Sequence, residues 1–187
     1  MIQEYFGGLD FGSSGARISI INSSREIIHE ASHTYANEFS NPESWINSCI
    51  KLFEDIPCEI SKYLSRLSIS GTSGTLIPCE LNGKNLGNAI PYNVKCSSHS
   101  AKLDLIAGKD QFLNNPYSSL AKAFELIETY GENIMLRHQS DWISGWFLNN
   151  WQYGEEGNNI KLGWNIAIKS WPTTFNSLSL KKSLPLI

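Results

Sequence analysis

Near the N-terminus apolar and polar residues alternate at a period of two, and three extended segments follow from that pattern. Residues 7–11 read as a short buried strand, and residues 16–21 as a second with Ile18 and Ile20 on one face. Residues 12–15 form the hairpin between them, where a glycine at each end permits a tight turn. Asn22-Ser23-Ser24 turns the chain again, and residues 26–35 supply a third strand. The prediction is a three-stranded meander.

The period then lengthens. Asn41-Pro42-Glu43 is a helix start, with a capping side chain, proline at the first helical position and an acid after it. Trp45, Ile46, Cys49, Ile50 and Phe53 follow at helical spacing. Pro57 interrupts the pattern, and a second helical piece over residues 59–64 is expected to carry Ile60, Tyr63 and Leu64 inward. Residues 67–70 read as a short strand that runs into Gly71-Thr72-Ser73-Gly74-Thr75. Residues 76–81 continue as strand, Asn82-Gly83 makes a turn, and residues 89–92 are the expected returning strand. Further on, Leu120, Phe124 and Ile127 share one helical face. Trp142, Ile143, Trp146 and Phe147 share another, opened by Ser140-Asp141 as cap and acidic first turn. Strands and helices mixed in this order predict an α/β fold, a mixed sheet with flanking helices. The tail, residues 177–187, ends on Leu184-Pro185-Leu186-Ile187. Chain ends are usually polar and loose, so the expectation is a chain that stops before its fold is finished.

Composition narrows the function classes. A chain of 187 residues suffices for one domain with a sizeable core. A net charge of −3 without a basic run disfavours nucleic acid as a partner. No apolar run is long enough to cross a membrane, and the N-terminus lacks the charged and apolar regions of a secretory signal, so a cytoplasmic protein is expected. Cys49, Cys58, Cys79 and Cys96 form no CxxC pair, and no histidine stands beside them at zinc spacing. They read as reduced, partly buried thiols.

The candidate chemistry starts at Asp10, a single carboxylate on a strand followed by Phe11-Gly12-Ser13-Ser14-Gly15. Backbone N–H groups reach phosphate oxygens where side chains are small, and a carboxylate beside them can hold Mg²⁺ through water. The same residues also read as a plain Gly-Ser hairpin with Asp10 capping a turn. There is no GxxxxGK[ST], and Asp10-Phe11-Gly12 is not the DFG of a protein kinase, because too little chain precedes it. Arg17 either adds positive charge for a phosphate or is a surface strand arginine. Thr72 and Ser73 either present hydroxyls to a polyol or belong to a polar loop. His138 and Asp141 lie three apart, but a helix cap and first turn explain Asp141 without catalysis. His29, His33 and His99 read as surface residues, and no Ser-His-Asp or Cys-His arrangement is supported by a nucleophile elbow or similar context.

As an ordered set these segments resemble the FGGY carbohydrate kinases of the actin-like ATPase superfamily. The resemblance rests on GLDFGSSGARISI, then LSISGTSGTLIPCELNGKNLGNAIPYN, then SSLAK, HQSDWISGWFL and NIAIK, over essentially the whole chain. The GTSGT form looks most like the cyanobacterial and plant pentulose kinases that act on D-ribulose. The resemblance implies an RNase H-like (actin-like ATPase) N-terminal domain, truncated, across residues 1–187. It also implies transfer of the ATP γ-phosphate to a sugar hydroxyl with Mg²⁺. Asp10 would then sit at the cleft floor near Mg²⁺-phosphate and the sugar. Gly12, Ser13 and Ser14 would form the first phosphate loop with Arg17 behind it, and Thr72 and Ser73 would face the pentulose. Two departures stand out. Ser70 occupies the place just before GTSGT where an acid is expected. The family's aspartate general base and second, nucleotide-holding domain lie beyond the pattern present here. Loss of such a base typically costs about 10²–10⁴-fold, so this polypeptide alone is expected to be nearly inactive. The competing expectations are a non-catalytic sugar-binding or interaction remnant, possibly completed by a separately encoded C-terminal half or a homo-oligomer, and a glycerol or other sugar kinase of the same superfamily.

Overall fold

The first sheet has four strands, namely the three-stranded meander that the period-two pattern predicts and a fourth reached by a crossover. A computed structural model describes residues 3–178 and 180–187, and the chain divides into two compact units, 1–72 and 73–187. In the first unit, β1 (Tyr5–Phe11), β2 (Gly15–Asn22) and β3 (Ile27–Thr34) form the antiparallel meander. Helix α1 (Pro42–Glu54) and the single turn α2 (Cys58–Ser61) return the chain to β4 (Leu64–Gly71), which pairs parallel with β1. The sheet order is β3-β2-β1-β4.

Leu9, Phe11, Ala16, Ile18 and Ile20 are buried, and α1 packs on β2 and β3. The start of α1 follows its sequence: the Asn41 side chain accepts from the Glu43 amide and Pro42 stands at the first position. Trp45, Cys49 and Leu52 are buried on the helix, with Ser44 and Ser48 between them. Ile50 is 42% exposed, so the inward stripe is rotated from the one the apolar residues alone suggest. The second helical piece is shorter than expected, because Tyr63 and Leu64 already follow the strand path: the Tyr5 amide donates to Tyr63 O and Leu64 pairs with Tyr5.

In the second unit, β5 (Leu76–Cys79) pairs antiparallel with β6 (Met135–His138). The expected partner, residues 89–92, contributes a single bridge from Ile90 to Leu76. Both β5 and β6 are buried along their whole length, so neither shows the alternation that marks a strand. Helices α3 (Ser100–Ala107), α4 (Ser119–Tyr130), α5 (Gln139–Leu148) and α6 (Glu156–Asn159) complete the unit, with short 3₁₀ turns toward its end. Leu120 and Phe124 of α4 join Leu76, Leu136, Leu162, Phe175 and Leu184 in one core. Ser118 caps α4 by accepting from the Ala121 amide. Helix α5 starts earlier than expected, with His138 at the cap position and no capping side chain, so Ser140-Asp141 is its first turn and not its cap. Trp142 and Ile143 are buried, while Trp146 is 37% exposed. Gly83 is required here: its φ is +81° and a Cβ would stand 2.1 Å from the Trp151 ring.

The apolar tail is tied into this unit. Leu184 is in the core, and Leu186 exchanges backbone hydrogen bonds with Gln152 and Gly154. Ser179 lies outside the described residues. Cys49, Cys79 and Cys96 are buried free thiols and Cys58 is exposed. No helix among the described residues is long and apolar enough to cross a membrane.

Candidate active site

The tip between β1 and β2 is held by its carbonyls. The Gly12 amide donates to Gly15 O, the Tyr35 hydroxyl donates to Gly12 O at 2.9 Å, and the Tyr35 amide donates to Ser14 O at 3.0 Å. Among the described residues the amides of Ser13 and Ser14 meet no acceptor, and both side chains are exposed. The two glycines act differently from the expected tight-turn pair, since neither has a positive φ. Gly15 is needed for closeness instead, because a Cβ there would lie 2.3 Å from His33 O of the neighbouring strand.

Alternation places the charged partners on the sheet face opposite the buried one. Asp10, Arg17, Glu30, Ser68 and Ser70 line a groove of about 540 Å³ there, floored by Gly8. Asp10 stands between Arg17 and Ser70 in the strand register. The Arg17 Nε lies 3.1 Å from Asp10 Oδ2 as an ion pair, with both side chains well exposed. An exposed pair of this kind contributes at most about 1 kcal/mol, so Arg17 orients the carboxylate without locking it. The other carboxylate oxygen makes no hydrogen bond among the described residues. One half-exposed carboxylate with a spare oxygen is a donor of the kind a hydrated Mg²⁺ takes.

Thr72 closes the first unit and is half-buried, while Ser73 opens the second and is exposed. The turn after Ser73 is made by Gly74 at φ +90°, and Lys161 Nζ donates to Ser73 O at 3.2 Å. Thr75 is buried and its hydroxyl accepts from the Tyr92 amide, so only Ser73 of the second unit's share of GTSGT presents a side chain to solvent.

The second unit also holds polar groups that the sequence did not place together. Ser119 Oγ lies 2.9 Å from His138 Nε2, and His138 Nδ1 lies 3.7 Å from Asp141 Oδ2. A Ser-His-Asp row therefore exists, although His138 Nδ1 makes no hydrogen bond to Asp141. Its members are 0, 1 and 4% exposed, which leaves no open side for a substrate. Asp141 accepts from the Glu155 amide and from Asn159 Nδ2, so its carboxylate fastens residues 155–159 to α5. Burial pushes Arg137 down to about 10; its guanidinium donates to Trp151 O, Leu136 O and Ser183 O. Burial also pushes the Cys49 and Cys79 thiols up to about 12, which makes them inert as nucleophiles. His33 and His99 are not free surface residues: His33 pairs with Asp55 at 2.7 Å, and the His99 side chain is nine-tenths buried.

No protein-family profile matches the sequence. Solved structures do match. The Plasmodium falciparum glycerol kinase crystallised with ADP is 16% identical, with a TM-score of 0.80, over 98% of this chain and 42% of its own. Xylulose kinase from Rhodospirillum rubrum is 14% identical at TM-score 0.78, over 98% of this chain and 42% of its own. Gluconate kinase from Lactobacillus acidophilus is 14% identical at TM-score 0.77, over 98% and 41%. The chain thus spans about two-fifths of the length of the kinases it matches. Identities this low speak to fold alone. With its β3-β2-β1-β4 sheet and flanking helices, the chain has the mixed α/β fold of the N-terminal domain of FGGY-type carbohydrate kinases.

Proposed function

We propose that this chain supplies the phosphate hairpin and the sugar-facing loop of an ATP-dependent carbohydrate kinase whose acceptor is a pentulose, D-ribulose in the first instance. The observation that carries the reading is the hairpin tip. The Gly12 and Ser14 carbonyls accept from Tyr35, the Gly15 carbonyl accepts from the Gly12 amide, and the Ser13 and Ser14 amides meet no acceptor among the described residues. Phosphoryl transfer asks mainly for positioning and charge neutralisation, which amides, one carboxylate and one guanidinium can give. In this reading the Gly12, Ser13 and Ser14 backbone binds phosphate oxygens and Asp10 orients the hydrated cation. Arg17 holds Asp10 in the groove, and Thr72 and Ser73 face the sugar. Bound Mg²⁺ would neutralise charge on the transferring phosphate. The substrate class rests on the GTSGT sequence. The matched folds include glycerol, xylulose and gluconate kinases at TM-scores of 0.77 to 0.80, which favours no one of these substrates over D-ribulose.

The groove's acids are Asp10, engaged by Arg17, and Glu30. A positioned general base typically contributes about 10²–10⁴-fold to such a transfer, and the reading assigns that role to neither Asp10 nor Glu30, so slow turnover by these 187 residues alone is expected. A completing partner chain or a homo-oligomer belongs to the same proposal. The test is a thermal-shift panel with D-ribulose, D-xylulose, gluconate, glycerol and Mg·ATP, each separately, on wild type and Asp10→Asn. The reading expects stabilisation by D-ribulose and by Mg·ATP, both weakened in Asp10→Asn. Stabilisation by sugar with none by nucleotide would support a sugar-binding module instead. A preference for glycerol would transfer the assignment to a glycerol kinase.

A further inference from the structure

A second candidate site lies wholly in the 73–187 unit and is independent of the kinase reading. His99 precedes α3, and Glu125 and Glu128 lie on α4. Positions three apart share a helix face, so the two carboxylates project together. One ligand atom from each of the three residues falls within 4.8 Å of the other two. An acidic pair on a helix would carry nothing by itself. The imidazole adds the missing observation: its side chain is 10% exposed, and Nε2 is fully buried with no hydrogen-bond partner among the described residues. That nitrogen points toward the acids, 3.0 Å from Glu128 Oε2 but outside hydrogen-bond geometry. The Phe124 ring, 5.8 Å from the imidazole centroid, helps to fix its plane. Lys102 Nζ lies over the Phe124 ring, 5.7 Å from its centroid, and forms no ion pair with either glutamate among the described residues. A buried imidazole nitrogen without a hydrogen bond and two carboxylates thus converge on one place.

We infer that His99, Glu125 and Glu128 bind a divalent transition-metal ion, with Zn²⁺ the best fit, linking the start of α3 to α4. One imidazole and two carboxylates form a borderline donor set suited to Zn²⁺, whereas Mg²⁺ prefers oxygen ligands and retains its waters. The exposed side of Glu128 leaves room for a water as fourth ligand. The test is calorimetric titration of the full chain with ZnCl₂ and with MgCl₂. Cys58→Ser removes the exposed thiol as a competing zinc ligand. One Zn²⁺ per chain is expected in wild type and Cys58→Ser, with affinity lowered by about ten-fold or more in His99→Gln and in Glu128→Gln. Glu128 is exposed, so its variant keeps the fold if His99→Gln does not. Circular dichroism checks both. The inference is overturned if Zn²⁺ binding disappears in Cys58→Ser, if it is unchanged in Glu128→Gln, or if Mg²⁺ binds as tightly.

Discussion

Lys122 is fully buried, and its ammonium donates to the carbonyls of Tyr92 and Tyr117. Burial first, and then the neighbouring Lys161, push it down to about 8, although Cys96 opposes the shift. The lowered value means that the unfolded chain binds more protons between about 8 and the ordinary lysine value of 10.5. Stability should therefore rise with pH across that window, and the cost of the buried charge is fully present below it. The thiols of Cys49 and Cys79 act in the opposite sense above pH 9, where the unfolded chain loses protons that the folded one keeps. Subtracting a Lys122→Met profile from wild type removes the thiols. The difference in urea-unfolding free energy should climb by roughly 1–3 kcal/mol between pH 8 and 10.5. A flat difference would mean that Lys122 is solvated. At this scale the sequence showed Asp10, because small residues isolate it. It could not show Lys122 or Arg137 as buried, since their carbonyl partners lie up to 46 residues away.

At the scale of elements, the hairpin depends on closeness and not on turn conformation. A Cβ on Gly15 meets backbone at 2.3 Å, so Gly15→Ala must push β3 away and is expected to cost about 1–3 kcal/mol. The nearest atom to a Cβ on Gly12 is 3.5 Å away, so Gly12→Ala should change stability by less than about 1 kcal/mol. Urea midpoints of the two variants check this, and equal losses would contradict the assigned role of Gly15. The meander, the Asn41 cap and the α4 face were legible because each carries a local pattern. The pairing of β5 with β6 was not. Both are four-residue strands buried on both faces, and Arg137 in β6 looks polar until its three carbonyl acceptors are known. The Ser119-His138-Asp141 row was hidden for a similar reason, because Ser119 reaches His138 from a different element.

For the whole molecule, the four-stranded sheet with one polar face belongs to a fold shared with glycerol, xylulose and gluconate kinases, over about two-fifths of their length. The ordered motifs were enough to expect that fold, and the structure supplies what motifs cannot show, the Asp10–Arg17 pair and two tip amides without an acceptor among the described residues. The central claim is that the Ser13–Ser14 tip receives phosphate. Its most direct test is a ¹⁵N–¹H titration of the chain with millimolar Mg·ATP. The Ser13 and Ser14 amide signals should move first and furthest, with a smaller shift at Asp10, and Asp10→Asn should reduce the effect. If those two amides stay unmoved while others respond, or if nothing responds, the hairpin is only a turn and the phosphate assignment is wrong.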